Sequence, residues 1–220
     1  MLGGLKGKGD MSDLDTEDLQ DVYGAKTPEQ SRKIYNQWAA GYDTDTLSRG
    51  FRLPALGAAL LARYLGATEG MVLDACCGTG LVGETLHVLG YDDLVGCDIS
   101  PRMLKRAEKL GVYQRLIEAN TGAGLPFKDN QFAGFVCVGA FGPGHAPPVT
   151  LDHLARVTRP GGVGVFNLLE ASFEAQGFPE VMDRLSASGE WEVIQKTPPF
   201  LPFLIAEPDL WSRAYVVRMT

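Results

Sequence analysis

The sequence predicts an α/β fold in which a mostly parallel sheet carries helices on both faces. Three observations support this. Continuously apolar runs of strand length, such as "GMVLDAC" and "DLVGCDI", alternate with helical patterns through the middle of the chain. Strands apolar on both sides belong to sheets covered on both faces. The last two apolar stretches, "EWEVIQK" and "RAYVVRMT", alternate in strand fashion with no helix between them, which predicts an antiparallel pair at a sheet edge.

A length of 220 residues suits one such domain with a full core and is short for two. Residues 1–26 are rich in Gly, Lys and Asp, and read as a mobile tail before a single domain at 27–220. In "TPEQSRKIYNQWAAGYD", Thr27 has the chemistry of a helix cap, Pro28 suits the first helical position and Glu29 the first turn. Ile34, Trp38 and Tyr42 recur at four-residue spacing as one apolar stripe. The polar, glycine-bounded "GYDTDTLSRG" suits a hinge. "LPALGAALLARYLG" is uniformly apolar and ends at Gly66, which predicts a well-buried helix closing an N-terminal helical segment at 27–66. A core at 67–170 then holds five strands: "GMVLDAC", "DLVGCDI", "YQRLIEAN", "QFAGFVCVGAF" and "GVGVFNLL". Between them "GLVGETLHVLG", "SPRMLKRAEKLG" and "TLDHLARVTRPGG" read as helices, the second capped by Ser100 and ended by Gly111. Residues 171–220 supply a C-terminal helix and the edge hairpin.

A net charge of −7 argues against non-specific nucleic-acid binding, which runs on surplus Lys and Arg. Cys76, Cys77, Cys97 and Cys137 lie in or beside apolar runs without a C-x-x-C pair, as expected of reduced thiols rather than a disulfide or metal set. The N-terminus has no apolar stretch of signal-peptide length and no run is long enough to span a membrane, so a cytoplasmic setting without membrane contact is expected.

In an open α/β sheet, ligands bind beyond the carboxyl ends of the strands, near the point where strand order reverses. The exit of the first strand is therefore the place to look. There Gly78-Thr79-Gly80-Leu81-Val82-Gly83 fits the G-x-G-x-x-G pattern of dinucleotide loops. Gly78 and Gly80 let the backbone turn sharply beside a ligand, and the helix beginning at Leu81 offers N–H groups. Asp98 ends the second strand twenty residues after Gly78, where a carboxylate accepts hydrogen bonds from ribose hydroxyls. The alternative is a pair of turn glycines with a helix-capping Asp. Asp74 decides between adenosine cofactors, because a negative charge beside the loop repels a pyrophosphate and suits an ammonium or sulfonium group. The loop reads as a holder of S-adenosylmethionine.

"VLDACCGTG", "VGCDISPRMLKRAEKLG", "LPFKDNQFAGFVCVGAF" and "LARVTRPGGVGVF" resemble, in order, the motifs of class I S-adenosylmethionine-dependent methyltransferases over about residues 30–170. Within that superfamily, "CVGAFGPGHAP" and "YNQWAAGYD" are most similar to the Williams–Beuren-region methyltransferase-like group. The resemblance implies a Rossmann-like, seven-stranded sheet with an antiparallel last strand. It also implies site roles. Asp74, Ala75, Cys76 and the loop through Gly78 and Gly80 face the methionine part of the cofactor. Asp98 holds the ribose, while Ile99 and Met103 pack on the adenine. Asn120 stands where many relatives carry an acid and accepts from the adenine amino group, with the Thr121 N–H at the ring edge. Gly139 and Ala140 let the transferring methyl lie close to the backbone. Tyr42 covers the cofactor as part of a lid at 27–50. Cys76 replaces the usual first glycine of the motif, and Ala133 stands where relatives often have Asp. Met103 also reads as helix core, and Asn120 as a turn former.

His145 in "GPGHAPP" reads as a general base, a substrate contact or a solvated loop histidine. His87 and His153 read as structural, and no ligand spacing supports a metal. Methyl transfer from a sulfonium needs alignment and exclusion of water more than a dedicated catalytic set. The acceptor expected is a small molecule, handled by a monomer or homodimer. "TPPFLPFLIAEPDLW" brings Phe200, Phe203 and Trp211 among prolines, and reads as an acceptor pocket wall, a dimer contact or a self-packed loop. The rival readings are an inactive cofactor-binding regulator and an NAD-type oxidoreductase.

Overall fold

A computed structural model describes residues 24–142 and 144–220; the expected tail lies outside the described residues except for 24–26. Ala25 is already buried, so the packed chain begins slightly before Thr27. The Thr27 hydroxyl accepts the Gln30 N–H at 3.3 Å and caps α1 (Pro28–Trp38) as expected. Tyr42 does not prolong that helix. It opens a separate short helix, α2 (Tyr42–Ser48), where a hinge was expected. The polar side chains of this stretch explain the difference: the Thr46 hydroxyl donates to the Tyr42 carbonyl at 2.7 Å, and Trp38 Nε1 donates to Asp45 at 2.7 Å. α3 (Leu53–Tyr64) buries one face through Leu53, Gly57, Ala58 and Leu61 but exposes Ala55 and Ala59, so it is one-sided rather than buried all round.

The strands are β1 (Val72–Ala75), β2 (Leu94–Asp98), β3 (Arg115–Glu118), β4 (Phe132–Cys137), β5 (Thr158–Leu169), β6 (Trp191–Lys196) and β7 (Ser212–Met219). They form one sheet in the order β3-β2-β1-β4-β5-β7-β6, parallel from β3 to β5, with β7 antiparallel to both of its neighbours. The helices that follow are α4 (Leu81–Val88), α5 (Pro101–Glu108), α6 (Thr150–Val157), the short α7 (Glu170–Phe173) and α8 (Phe178–Ala187). α6 stops at Val157 instead of running on through "TRPGG". Pro160 disfavours helical geometry at Arg159, and the Thr158 hydroxyl closes the last turn on the Leu154 carbonyl at 2.7 Å. β5 accordingly begins at Thr158.

One face of the sheet buries Leu73, Phe135, Phe166 and Trp191 against Leu154 of α6 and Phe178 of α8. The other buries Val72, Val136 and Val165 against Leu61 of α3 and Leu86 of α4. A third cluster joins Trp38, Tyr35, Tyr42 and Phe51 to Phe203 and Leu210 from the loop after β6. That loop is tied down by backbone bonds from Arg52 to Pro202 at 3.1 Å and from Leu204 to Gly50 at 3.1 Å. It is thus a wall of the N-terminal segment, with Phe203 buried and Trp211 44% exposed. No described helix is long and apolar enough to cross a membrane.

Candidate functional site

Strand order reverses between β2 and β4, on either side of β1. The chain leaving β1 turns at Cys76, whose φ of 58° lies in the left-handed region that side chains disfavour by roughly 1–2 kcal/mol. Gly78 follows at φ 54°, and a Cβ placed there would meet nothing within 4 Å: it would project into the open cleft. The Gly78 N–H donates to Asp98 Oδ2 at 2.9 Å, and the Ser100 N–H donates to Oδ1 at 2.8 Å. Both carboxylate oxygens are thereby oriented at the lip of the cleft. Burial raises the Asp98 pKa to about 6, against the lowering effect of the N–H groups of Ser100, Gly78 and Ile99.

The cleft brings together most of the residues expected from sequence. Cys76, Gly78, Asp98, Ile99 and Met103 line one side, and Asn120, Thr121, Gly139 and Ala140 another. Tyr42 and His145 line it as well. Met103 is both wall and helix core, being 1% exposed in α5 with its N–H on the Ser100 cap at 3.2 Å. Asn120 forms the turn: its Oδ1 accepts the Gly122 N–H at 3.0 Å while the residue still lines the cleft. The Thr121 hydroxyl lies 3.6 Å from Cys76 Sγ.

Three expected residues are not in the wall. Ala75 is buried in the sheet core. Gly80 packs against the end of α5 and the chain that follows it, where a Cβ would lie 3.2 Å from Ala107, 2.7 Å from Leu110 and 3.1 Å from Tyr113. Asp74 shares its face of β1 with Val72, by the two-residue period of a strand, and points away from the cleft. Its carboxylate accepts the Tyr113 hydroxyl at 2.6 Å. A Cβ on Gly83 would lie 2.1 Å from that hydroxyl oxygen, and one on Gly96 would lie 3.1 Å from the ring. The last glycine of the G-x-G-x-x-G match thus makes room for a tyrosine. Burial chiefly raises the Asp74 pKa to about 7; the Tyr113 bond lowers it and the Asp98 charge raises it. Glycines at both 83 and 96 were the available signal that a ring passes between them.

His145 is half-buried, with Nε2 2.9 Å from the Tyr35 hydroxyl, so it is not a solvated loop histidine. Gly139, at φ 69°, donates its N–H to Asn167 Oδ1 at 2.7 Å, and Asn167 donates in turn to Ser212 at 2.8 Å. Sequence reasoning missed Asn167, and also the side chains that hold the N-terminal helices over the cleft. The Ser100 hydroxyl donates to Asn36 at 2.8 Å; Asp43 accepts from Thr79 and from Arg106, the latter at 3.1 Å. A second cavity shares Tyr35, Tyr42, Phe51, Gly139 and His145 with the cleft and continues from it toward Phe203 and Leu210. All four cysteines are free; Cys77, Cys97 and Cys137 are buried, with burial chiefly raising the Cys77 and Cys97 thiols and a hydrogen bond with Cys76, then burial, raising that of Cys137, while Cys76 is half-buried.

Comparison with known proteins agrees with this geometry. Residues 72–162 match the model of a methyltransferase domain. The chain is 34% identical over 183 residues to methyltransferase-like protein 27 of Homo sapiens, covering 80% of this chain and 74% of that protein. It is 29% identical over 219 residues to a ubiquinone/menaquinone biosynthesis C-methyltransferase of Bdellovibrio bacteriovorus, covering 88% and 92% of the two chains. Among solved structures, a chain of the complex between the Haloferax volcanii Trm112 methyltransferase activator and a methyltransferase superposes with a TM-score of 0.65 at 19% identity, covering 86% and 96%. This last likeness is one of fold.

Proposed function

We propose, for a chain that belongs to the class I S-adenosylmethionine-dependent methyltransferases of the Williams–Beuren-region methyltransferase-like group, that the methyl acceptor is a small molecule received where the two cavities meet. One observation carries the reading: the cofactor cleft does not end in a solid wall at Gly139 and His145 but continues there into a second cavity with which it shares these two residues and Tyr35, Tyr42 and Phe51.

The residues present fit the cofactor. Asp98 offers two oriented carboxylate oxygens for ribose hydroxyls, and Gly78 keeps clear the open space into which a Cβ would project. Ile99 and Met103 provide apolar surface for a ring, with Asn120 and Thr121 beside it. Bound there, S-adenosylmethionine supplies a methyl group already activated on a sulfonium. The chain's own work is then to align and to exclude water. Gly139, held by Asn167, lets an acceptor approach the backbone closely. Tyr42 and Tyr35 cover the junction, and the Tyr35–His145 pair stands ready to receive a proton from an acceptor that must lose one. Asp74 has no direct part in this scheme; it acts through Tyr113 beneath the loop.

Labelled cofactor incubated with the protein and a metabolite extract, beside total RNA and total protein, tests the reading. Label is expected in the low-mass fraction. Label confined to RNA or protein would overturn the small-molecule reading. Tight binding of S-adenosylhomocysteine with no label moved to any acceptor would point instead to a regulator that holds the cofactor without using it.

A further inference from the structure

We infer that the second cavity is an acceptor subsite for an uncharged, flat aromatic molecule carrying one hydroxyl or amino group. The inference rests on the methyl-transfer reading above and deepens it by naming the acceptor class.

The walls carry the argument. The lining is mainly apolar, with Trp38, Phe51, Phe141, Leu169, Phe203 and Leu210 in it, and no Asp, Glu, Lys or Arg is among the described lining residues. Thr46, Trp38 and Asn167 in the lining are committed elsewhere. The Thr46 hydroxyl donates to the Tyr42 carbonyl at 2.7 Å, and Trp38 Nε1 donates to Asp45 at 2.7 Å. Asn167 accepts from the Gly139 N–H at 2.7 Å and donates to Ser212 at 2.8 Å. A carboxylate, phosphate or ammonium set against these walls would give up hydration with no Asp, Glu, Lys or Arg among the described lining residues to pair with, which is costly for a charge.

Shape adds to polarity. The Phe51 and Phe203 rings stack at 4.9 Å, and Trp38 meets Tyr42 edge-on at 4.7 Å. Such surfaces favour a ring lying flat or edge-on against them. Polarity returns at the junction with the cofactor cleft, where Tyr42 and the Tyr35–His145 pair stand beside Gly139. A bound molecule is therefore oriented with its ring toward Phe203 and its polar group toward the cofactor. The same walls oppose an RNA acceptor: neither cavity has a Lys or Arg among its described lining residues, and phosphate contacts dominate nucleic-acid affinity.

Calorimetry on the full chain saturated with S-adenosylhomocysteine tests this, using naphthol and a hydroxynaphthoate that differs from it by one carboxylate. Naphthol should bind at least about tenfold more tightly, because the carboxylate is desolvated without a partner. Leu210, half-buried in the wall, offers a reversal. Leu210→Arg should weaken naphthol and bring the hydroxynaphthoate to equal or better affinity, with S-adenosylhomocysteine binding unchanged. If that variant fails to fold, the comparison of the two probes on the unaltered chain decides alone. Equal affinities for the two probes, no binding of naphthol, or a folded Leu210→Arg variant without any shift in preference would overturn the inference. Failure to bind S-adenosylhomocysteine in the first place would overturn the methyl-transfer reading instead, and the two failures are told apart at that first titration.

Discussion

Replacing Asp98 by asparagine separates what this carboxylate does for the cofactor from what it costs the fold. In the free protein its pKa rises from 3.8 to about 6, mainly through burial. Two units correspond to about 3 kcal/mol by which folding disfavours the ionised form. For an acid raised in this way the native state holds the proton longer than the unfolded chain. Stability therefore falls as pH climbs from about 4 to about 6, and is level above that. The substituted amide removes this slope but turns an NH2 toward one of the two N–H donors, Gly78 or Ser100. A lost hydrogen bond with an unsatisfied donor costs about 1–3 kcal/mol. The two effects nearly cancel near neutral pH, so the unfolding free energy should move by no more than about 1–2 kcal/mol. Binding has no such compensation. Losing charge-assisted bonds to the ribose hydroxyls should cost about 2–3 kcal/mol, a weakening of roughly 30- to 150-fold. Calorimetric titration with S-adenosylhomocysteine, run beside urea unfolding, reads both quantities. For the unaltered protein, affinity should also drop below about pH 6 as Asp98 takes up its proton. An asparagine variant that binds within threefold of the original would refute the assignment of Asp98 as the ribose anchor.

Other expectations follow from the same site. Cys76→Gly relieves a left-handed backbone at φ 58°; it should leave the protein as stable or up to about 1 kcal/mol more stable, with cofactor affinity equal or tighter, and a loss above about 2 kcal/mol in urea unfolding would contradict this. Asp74→Asn keeps an oxygen for the Tyr113 hydroxyl while removing a buried charge whose pKa is raised to about 7. Since the ionised form is the disfavoured one, stability of the original protein should fall from about pH 4 to about pH 7, and the variant should gain on the order of 2 kcal/mol at pH 8 but little at pH 5. Denaturant melts at the two pH values decide this, and a gain equal at both would assign the effect to packing instead. Amide exchange across residues 35–50 should slow when S-adenosylhomocysteine binds, because Tyr42 lines the cleft and Asp43 bonds to Thr79 of the loop; identical exchange in both states would make α1 and α2 fixed scaffold.

What the sequence determined alone is what depends on neighbours within a few residues. The strand-and-helix alternation, the Thr27 and Ser100 caps and the edge hairpin are all written in local periodicity and capping chemistry. The cofactor end of the cleft was legible too, because two strands joined by a single helix tend to be neighbours; β1 and β2 do pair in parallel, which brings Gly78 to Asp98. Tertiary structure decided the rest. Asp74 has the right place in the chain to face the cofactor, yet the pleat of β1 turns it toward Tyr113, and only the packing of that ring past Gly83 shows why. Tyr35 meets His145 across 110 residues, a pairing that no spacing encodes. The same holds for the acceptor side, where Phe51 from the N-terminal segment and Phe203 from beyond β6 stack into one wall. Their meeting depends on how the loop after β6 folds back over the sheet, and that path is set by long-range burial and backbone pairing with Gly50 and Arg52, not by any local preference of "TPPFLPFLIAEPDLW".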